Sequence, residues 1–356
     1  MGKPYFGAMN IVDFPIVEPL HSPLSAETKA RVRVLFIAKH VFWQGGLHHE
    51  DGNHAPYHKE IRNALETLGV NLSLADSYEA LFADPGCDFV FPLLNRGGFL
   101  NSEMLLPLLC TRLAIPFLGA SPILRGLSDD KHLTKLEARA RGIPTAPWAI
   151  YRKGAPILDV YCPKADRLVI KPNASSASWG VRDAGDWAGV MRAVQEIQSE
   201  GHDAIVEPFL DGSDVEVPVI TSGGAPAIMP MMLFEQVDPS HLRTYQEKRD
   251  LVDRSDKYKL TPFDDPHWEP IIRAHTAGMA GIFHPFDYGR FEFRLDQKTG
   301  QLMFLEVNLN CNLWSEKVFG RSAQLMGWSH VQLIETILSE SLMRHRLSSK
   351  AQGLAA

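Results

Sequence analysis

At 356 residues the chain is too long for one ordinary hydrophobic core and fits two or three sub-domains. Its 45% hydrophobic and 22% charged content is that of a soluble globular protein, and a net charge of -6 with no basic stripe excludes a nucleic-acid surface. No apolar run approaches the length of about 18 residues that a membrane span needs, and the N-terminal segment has an acid and prolines where an export signal needs an apolar stretch. Cys87, Cys110, Cys162 and Cys311 lie far apart with no CxxC spacing. That excludes a cysteine zinc site and a disulfide framework and fits reduced thiols in the cytoplasm.

Residues 1–30 are proline-rich and aperiodic and are expected to wrap the surface. The apolar run 32–38 reads as a buried strand. After a Gly/His loop, Ile61, Leu65 and Leu68 fall at i, i+4 and i+7 and predict a helix over 57–68. Strands are expected at 71–74, 88–94 and 115–119, with a helix over 104–113. Strands alternating with helices predict a parallel sheet covered on both faces, so residues 1–124 read as one α/β unit with an irregular extension.

Residues 128–141 predict a helix with Ser128 as N-cap and Gly142 past its end. A strand at 168–171 runs into a small-residue loop, followed by a helix over 187–200 and a strand at 204–208. Residues 125–211 are therefore expected to form a second, α+β unit. In a third, 212–346, strands are expected at 215–220 and 227–233, then a polar loop through Asp265 and a helix over 267–281. Strands at 290–296 and 302–307 flank a turn, and a helix over 329–346 ends the fold.

Alternation puts Arg290, Glu292 and Arg294 on one strand face and Phe291, Phe293 and Leu295 on the other. The turn can bring Glu292 opposite Glu306, with Asn308 on the same face. Two acids and an amide oxygen are hard ligands that suit one or two Mg²⁺ ions bridging nucleotide phosphates. Arg290 beside them can hold a transferring phosphate bidentately; a solvated strand face of alternating charge is the plainer alternative. The loop after Lys171 carries Ser175, Ser176 and Ser178 and ends at Gly180. Its N–H groups and hydroxyls can close over phosphates with Lys171 as point charge, or make only a serine-rich surface turn. Glu207 ends an apolar strand, and Asp214 and Glu216 alternate on the next. Such acids suit an adenine amino group and ribose hydroxyls, or are ordinary edge-strand charges. His48, His49, His54 and His58 keep no zinc-binding spacing and read as loop histidines. Cys311 has no His or acid tied to it and reads as a small pocket-lining residue rather than a nucleophile.

Taken in order, DFVFPLL, IPFLG, LSDDKHLTKLEARARGIPTAP, VIKP, VEPFLDG, TYQEK, GRFEFRLD and FLEVN resemble the ATP-grasp superfamily, and within it the D-alanine–D-alanine ligases. The similarity runs from Asp88 to Phe319. It implies an α/β fold with α+β sub-domains, in a three-sub-domain ATP-grasp architecture whose N-terminal domain has a parallel sheet. ATP is then expected between the second and third sub-domains. By position, Lys131 and Lys171 resemble the family's two phosphate lysines, Glu207 its adenine acid and Asp214 its ribose acid, with Glu216 as the fallback. Ser176, Ser178, Phe209 and Leu210 fall at nucleotide-binding positions. Lys248 resembles the lid lysine over the γ-phosphate, Arg290 the arginine that steadies the acyl-phosphate, and Glu292, Glu306 and Asn308 the magnesium ligands. Arg290, Lys248 and Ser178 are the catalytic candidates.

The chain departs from the family where substrates are expected. Leu309–Glu316 reads LNCNLWSE, so Cys311 and Asn312 replace a Pro-Gly pair and Trp314 adds bulk. Residues 95–103 lack the family's His-Gly and acidic motifs, and Ala177 stands where a serine is usual. The glutamate that holds the first substrate's amino group has no clear counterpart; His54 and Glu50 are nearest. Glu50, His54, Asn310, Cys311, Asn312 and Trp314 are the substrate-side candidates. The resemblance implies a cytoplasmic enzyme that uses ATP and Mg²⁺ to join a small carboxylate to an amine through an acyl-phosphate, with altered specificity. No nucleic-acid or membrane partner is expected, and a homodimer is left open. The rival readings are an ATP-grasp phosphotransferase, for which only Lys59 and Arg96 supply charge in the loops at 43–58 and 95–103, and a non-catalytic nucleotide-binding regulator.

Overall fold

The structure, a computed structural model, describes residues 15–94, 102–252 and 258–348. The N-terminal stretch is not irregular throughout, because Ser25 caps a short helix, α1 (Ala26–Arg31), by accepting from the Thr28 N–H at 3.1 Å. Then come β1 (Arg33–Ile37), α2 (His54–Leu68), β2 (Asn71–Ala75), β3 (Phe89–Pro92) and α3 (Leu105–Arg112). β1 lies between β2 and β3, parallel to both. Its run Val34–Ile37 is buried, as a strand covered on both faces must be. Residues 115–119 do not form the expected strand; they make one bridge, Phe117 to Val90. Pro116 has no N–H, so it accepts from Val90 without extending the ladder.

The expected helix over 128–141 is two helices, α4 (Pro122–Asp129) and α5 (Lys131–Ala140). Asp130, not Ser128, is the cap. Its extended backbone breaks the helix and its carboxylate accepts from the Leu133 N–H at 2.9 Å, while the Ser128 hydroxyl turns back to the Arg125 carbonyl. β4 (Ala149–Tyr151), β5 (Leu168–Pro172), β6 (Arg182–Ala184), α6 (Trp187–Ser199) and β7 (Ala204–Pro208) follow. The four strands form an antiparallel sheet in the order β4-β7-β5-β6, and α6 buries Val190, Val194 and Ile197 against it. β4 and β6, at three residues each, are too short to show a period in sequence.

The largest sheet comes last. β8 (Ser213–Ser222) turns at Gly223–Gly224 into β9 (Ala225–Ile228), and β10 (Met232–Gln236) continues along the same edge of β8. The apolar run at 227–233 is therefore two strands, separated at Pro230, which can neither donate to a ladder nor continue one. The polar stretch expected as loop contains α7 (Tyr245–Lys248) and β11 (Tyr258–Pro262). Then come α8 (Trp268–Phe283), β12 (Tyr288–Asp296), β13 (Gln301–Asn308), α9 (Val318–Leu325) and α10 (His330–Arg344). The antiparallel order is β11-β10-β8-β12-β13 with β9 beside β8. Phe291, Phe293 and Leu295 point into the core that α8 covers, which leaves Arg290, Glu292 and Arg294 on the opposite face. No helix among the described residues is long and apolar enough to cross a membrane.

Asp287, fully buried just before β12, ties three segments together. It accepts from Ser341 Oγ at 2.7 Å, Arg344 Nη2 at 2.7 Å and the Gly119 N–H at 2.5 Å. Asp287→Ala leaves the Arg344 charge and the Gly119 N–H uncompensated, so we expect a loss of about 3–5 kcal/mol in unfolding free energy. Urea denaturation measures it, and a loss below about 1 kcal/mol would refute the role.

Candidate active site

A cavity of about 740 Å³ is lined from the four-stranded sheet, the large sheet and the loop between β1 and α2. On its floor the strand register sets one carboxylate on each of three neighbouring strands at one level, since Glu292 of β12 pairs with Glu216 of β8 and with Glu306 of β13. A bulge follows at once. Phe293 pairs with Phe304, so Leu305 is the extra residue. Phe304 and Val307 thus stay in the core while Leu305 and Glu306 both face the cavity. The Phe304 N–H goes to the Pro144 carbonyl at 2.7 Å instead.

Arg290 lies between Glu216 (Nη1 to Oε2, 3.3 Å) and Glu292 (Nη2 to Oε1, 2.5 Å). The Asn308 amide donates to Glu292 at 2.7 Å and to Glu306 at 3.1 Å, tying the two carboxylates together. Burial pushes the Glu292 carboxyl upward against the pull of Arg290, and the nearby Glu306 and Glu216 add to the push. At Glu306 burial is outweighed by Lys131 and Lys171, which hold it down. Carboxylates crowded like this, one of them driven toward protonation, favour a cation between them.

Positive charge comes from the other wall. Lys131, the first residue of α5, sits 3.3 Å from Glu306 and donates to the Ser175 carbonyl at 2.8 Å. It thereby anchors the loop 173–181, where Ala177 and Ser178 both have positive φ (53° and 58°), uncommon for residues with a Cβ. Lys171 reaches Glu207 at 3.3 Å, and Lys135, one turn after Lys131, reaches the other Glu207 oxygen at 3.4 Å. Burial opposes ionisation of Glu207, but the two lysines hold its pKa below the usual range. Lys135 also donates to Thr145 Oγ1 at 2.7 Å, and Thr145 to the Phe304 carbonyl at 2.8 Å, next to the bulge. Lys248, in α7, also faces the cavity; burial and the nearby Arg243 lower its pKa to about 8.

The candidates are not all on the cavity wall. Lys131, Lys171, Ser176, Ser178, Asp214, Lys248, Arg290, Glu292, Glu306, Asn308, His54, Asn310, Cys311 and Asn312 line it. Glu207 lies beneath, taken by its two lysines, and Phe209 and Leu210 are engaged elsewhere: Arg167 stacks on Phe209, and the Leu210 carbonyl accepts from Arg294. Asp214 is held by Arg294 at 2.9 Å and Arg243 at 3.4 Å. Glu216, the fallback ribose acid, sits opposite Glu292 and is paired with Arg290. Trp314 packs against the N-terminal core instead of facing the cavity, and Glu50 is 72% exposed beside His49. Without Pro-Gly, the loop is fixed by Asn312 Oδ1 accepting from the Trp314 N–H at 2.7 Å and by the Tyr57 hydroxyl accepting from the Leu313 N–H at 3.1 Å. Burial pushes the Cys311 thiol up to about 12, so it is no nucleophile at neutral pH. The expected motifs at 95–101 and Arg96 lie outside the described residues.

Sequence reasoning missed several groups here. Lys39, His40, His58 and Arg249 line the end of the cavity beside His54. His40, His48 and Asp51 bring three ligand atoms within 4.8 Å of one another. However, His48 Nδ1 accepts from the N–H groups of Glu50 and Asp51 at 3.2 and 3.3 Å, which puts its proton on Nε2, and Lys39 is ion-paired to Asp51. An imidazole with both nitrogens committed and a carboxylate already paired make a donor cluster, not a cation site. This loop also docks on α7. The Asn53 N–H reaches the Arg249 carbonyl at 2.9 Å and its amide the Lys248 carbonyl at 3.0 Å. Gly52 (φ 55°) allows it, because a Cβ there would stand 1.7 Å from the Arg249 oxygen.

The family model D-ala D-ala ligase C-terminus matches residues 138–339. A D-alanine–D-alanine ligase of Synechococcus sp. (strain JA-3-3Ab) is 24% identical over 310 residues, covering 82% of this chain and 90% of that protein. The uncharacterized protein y4sG of Sinorhizobium fredii is 27% identical over 242 residues, covering 67% of this chain and 70% of the relative. The crystal structure of a D-alanine–D-alanine ligase from Bacillus anthracis complexed with ATP shares the fold, with a TM-score of 0.66 at 18% identity over 88% of this chain and 99% of that one. More than half of the sequence falls inside the family model, and the chain belongs to the D-alanine–D-alanine ligase family.

The Lys135–Glu207–Lys171 group predicts a strong coupling. Lys135→Met should cost about 3 kcal/mol in unfolding free energy, and Glu207→Gln in the same background should recover part of it. Urea melts of both single variants and the double variant measure this; additive losses would show that the charges are not coupled.

Proposed function

We propose that this family member is an ATP-dependent carboxylate–amine ligase that forms an amide bond between small amino-acid-like substrates through an acyl-phosphate. The observation that carries the reading is the paired Glu292 and Glu306 with Asn308 and Arg290, facing Lys131, Lys171 and Lys248 across one cavity. ATP lies with its phosphates against the loop 173–181, where Ser176 and Ser178, Lys131 and Lys171 meet them. Asp214 serves the ribose from the cavity wall, and Glu207 acts on the nucleotide through Lys171, which it holds from beneath. The chain divides into units 1–124, 125–211 and 212–346, with the nucleotide between the second and third.

The hard oxygen donors of Glu292, Glu306 and Asn308, brought together on neighbouring strands, fit one or two Mg²⁺ ions. When bound, magnesium neutralises charge on the transferring phosphate. The acid's carboxylate oxygen attacks the γ-phosphorus, and the bond to the β-phosphate bridging oxygen breaks to leave ADP. The amine nitrogen then bonds to the carbonyl carbon, loses its proton, and inorganic phosphate departs with the C–O electron pair. Arg290 donates to the phosphate and to the developing oxyanion, held in aim by Glu216 and Glu292. Lys248 covers the γ-phosphate from α7, and closure there keeps water from the acyl-phosphate. The Asn312 turn, the inward Cys311 and Ala177 give pockets unlike those of a D-alanine-specific enzyme, so we place the substrates outside the D-alanine pair.

Glu306→Gln and Asn308→Ala should each lower ATP-dependent phosphate release by about 100-fold or more with the thermal midpoint little changed. Near-normal turnover in both would remove the metal assignment. A second outcome follows from Lys248. Its charge is present below about pH 8 and is lost as pH rises through that value, so affinity for ATP should fall there. Calorimetry from pH 6 to 10 measures this, and the step should vanish in Lys248→Met.

A further inference from the structure

Asn53 stands at the N-cap of α2, yet its side chain makes no hydrogen bond to that helix, which is what an asparagine there usually does. The residue is buried, and its amide is spent on another helix. We propose that Asn53 is a positioning residue for Lys248, clamping from the loop between β1 and α2 the turn that carries the lysine; this rests on the ligase reading above, in which Lys248 meets the γ-phosphate.

α7 is a single turn of four residues, too short to persist on its own. Its first end is closed locally by the capping box of Thr244 and Glu247. The last carbonyls of a helix have no partners inside it. Those of Gln246 and Glu247 accept from the N–H groups of Leu251 and Asp250, at 3.0 and 3.2 Å. Those of Lys248 and Arg249 accept from Asn53, from its amide at 3.0 Å and its backbone N–H at 2.9 Å. The same amide donates to Asp250 Oδ2 at 2.7 Å. Asp250 takes the left-handed backbone (φ 55°) in which a helix end most often places glycine, so that bond braces a costly conformation. Gly52 and His48 exchange N–H···O bonds at 2.7 and 2.9 Å, which fixes the loop that presents Asn53. The end of α7 that carries the lysine is therefore the end that depends on a residue almost 200 positions away in sequence. Without the amide the turn loosens and Lys248 loses its place. The effect should fall on ATP, which has a γ-phosphate, and spare ADP, which has none.

Calorimetry of the full chain with Mg-ATP and with Mg-ADP tests this. Asn53→Ala should weaken ATP about tenfold and ADP by less than about twofold. In a Lys248→Met background the same change should weaken ATP by less than about twofold more, because the group it positions is gone. Asn53→Asp keeps the shape and remains a good N-cap for α2, so it should fold even if the alanine variant does not. It sets a carboxylate against the Lys248 carbonyl and Asp250, and the selective loss of ATP should recur. Unchanged ATP affinity in the Asn53 variants, equal losses for ATP and ADP, or an undiminished loss in the Lys248→Met background overturn the proposal and leave the ligase reading standing. Unchanged ATP affinity in Lys248→Met alone overturns the placement of that lysine and the proposal together.

Discussion

Carboxylates buried under a cavity must be matched by cations, and much of this structure answers that requirement. Glu207 lies between Lys135 and Lys171, Glu306 faces Lys131, and Arg290 joins Glu216 to Glu292. Those contacts join α5, β5 and β7 on one side to β8, β12 and β13 on the other, so the seam between the two sheets is defined by charge as well as by apolar packing. Fully paired networks of this kind fix geometry more than they add stability. That is what a site needs if it is to hold a transferring group to within a fraction of an ångström.

The same requirement explains the distribution of apolar residues. Along β12 every second residue enters the core, and the bulge at Leu305 is the one place where alternation is interrupted. Without the extra residue, the partners of Phe293 and Glu292 could not both be placed on their proper faces, given Phe304 and Glu306 two apart. The Pro144–Thr145 segment bridges to Phe304 beside the bulge and links it to Lys135. Backbone irregularity and buried charge are thus parts of one arrangement.

Much of this was legible in the sequence because the signals were periodic. The alternation of β12 placed Glu292 and Arg290 on one face, and the short turn placed Glu306 opposite. The parallel sheet followed from strands alternating with helices. What was not legible depended on three dimensions or on single backbone choices. Glu216 reads as an ordinary alternate acid on β8 until the register sets it across from Glu292. Lys135 shares a helix face with Lys131, but nothing local shows that Glu207 waits beneath it. Asp130 took the cap from Ser128 because a break at that position lets α5 begin on Lys131. The elements α7, β11 and α9 are short, and their polar or mixed composition carries no clear period.

The contact at Gly52 joins the loop between β1 and α2, which walls one end of the cavity, to the segment that carries Lys248, with backbone against backbone and no room for a side chain. Two ligand sites that share such a rigid joint are thermodynamically linked. On the ligase reading proposed above, whatever free energy a substrate contributes to holding the loop in place, it contributes equally to holding α7, and the nucleotide returns the same amount. Occupancy of one pocket should then sharpen the other by an equal factor in both directions. A glycine with no chemistry of its own would in this way carry the cooperativity of the whole cycle.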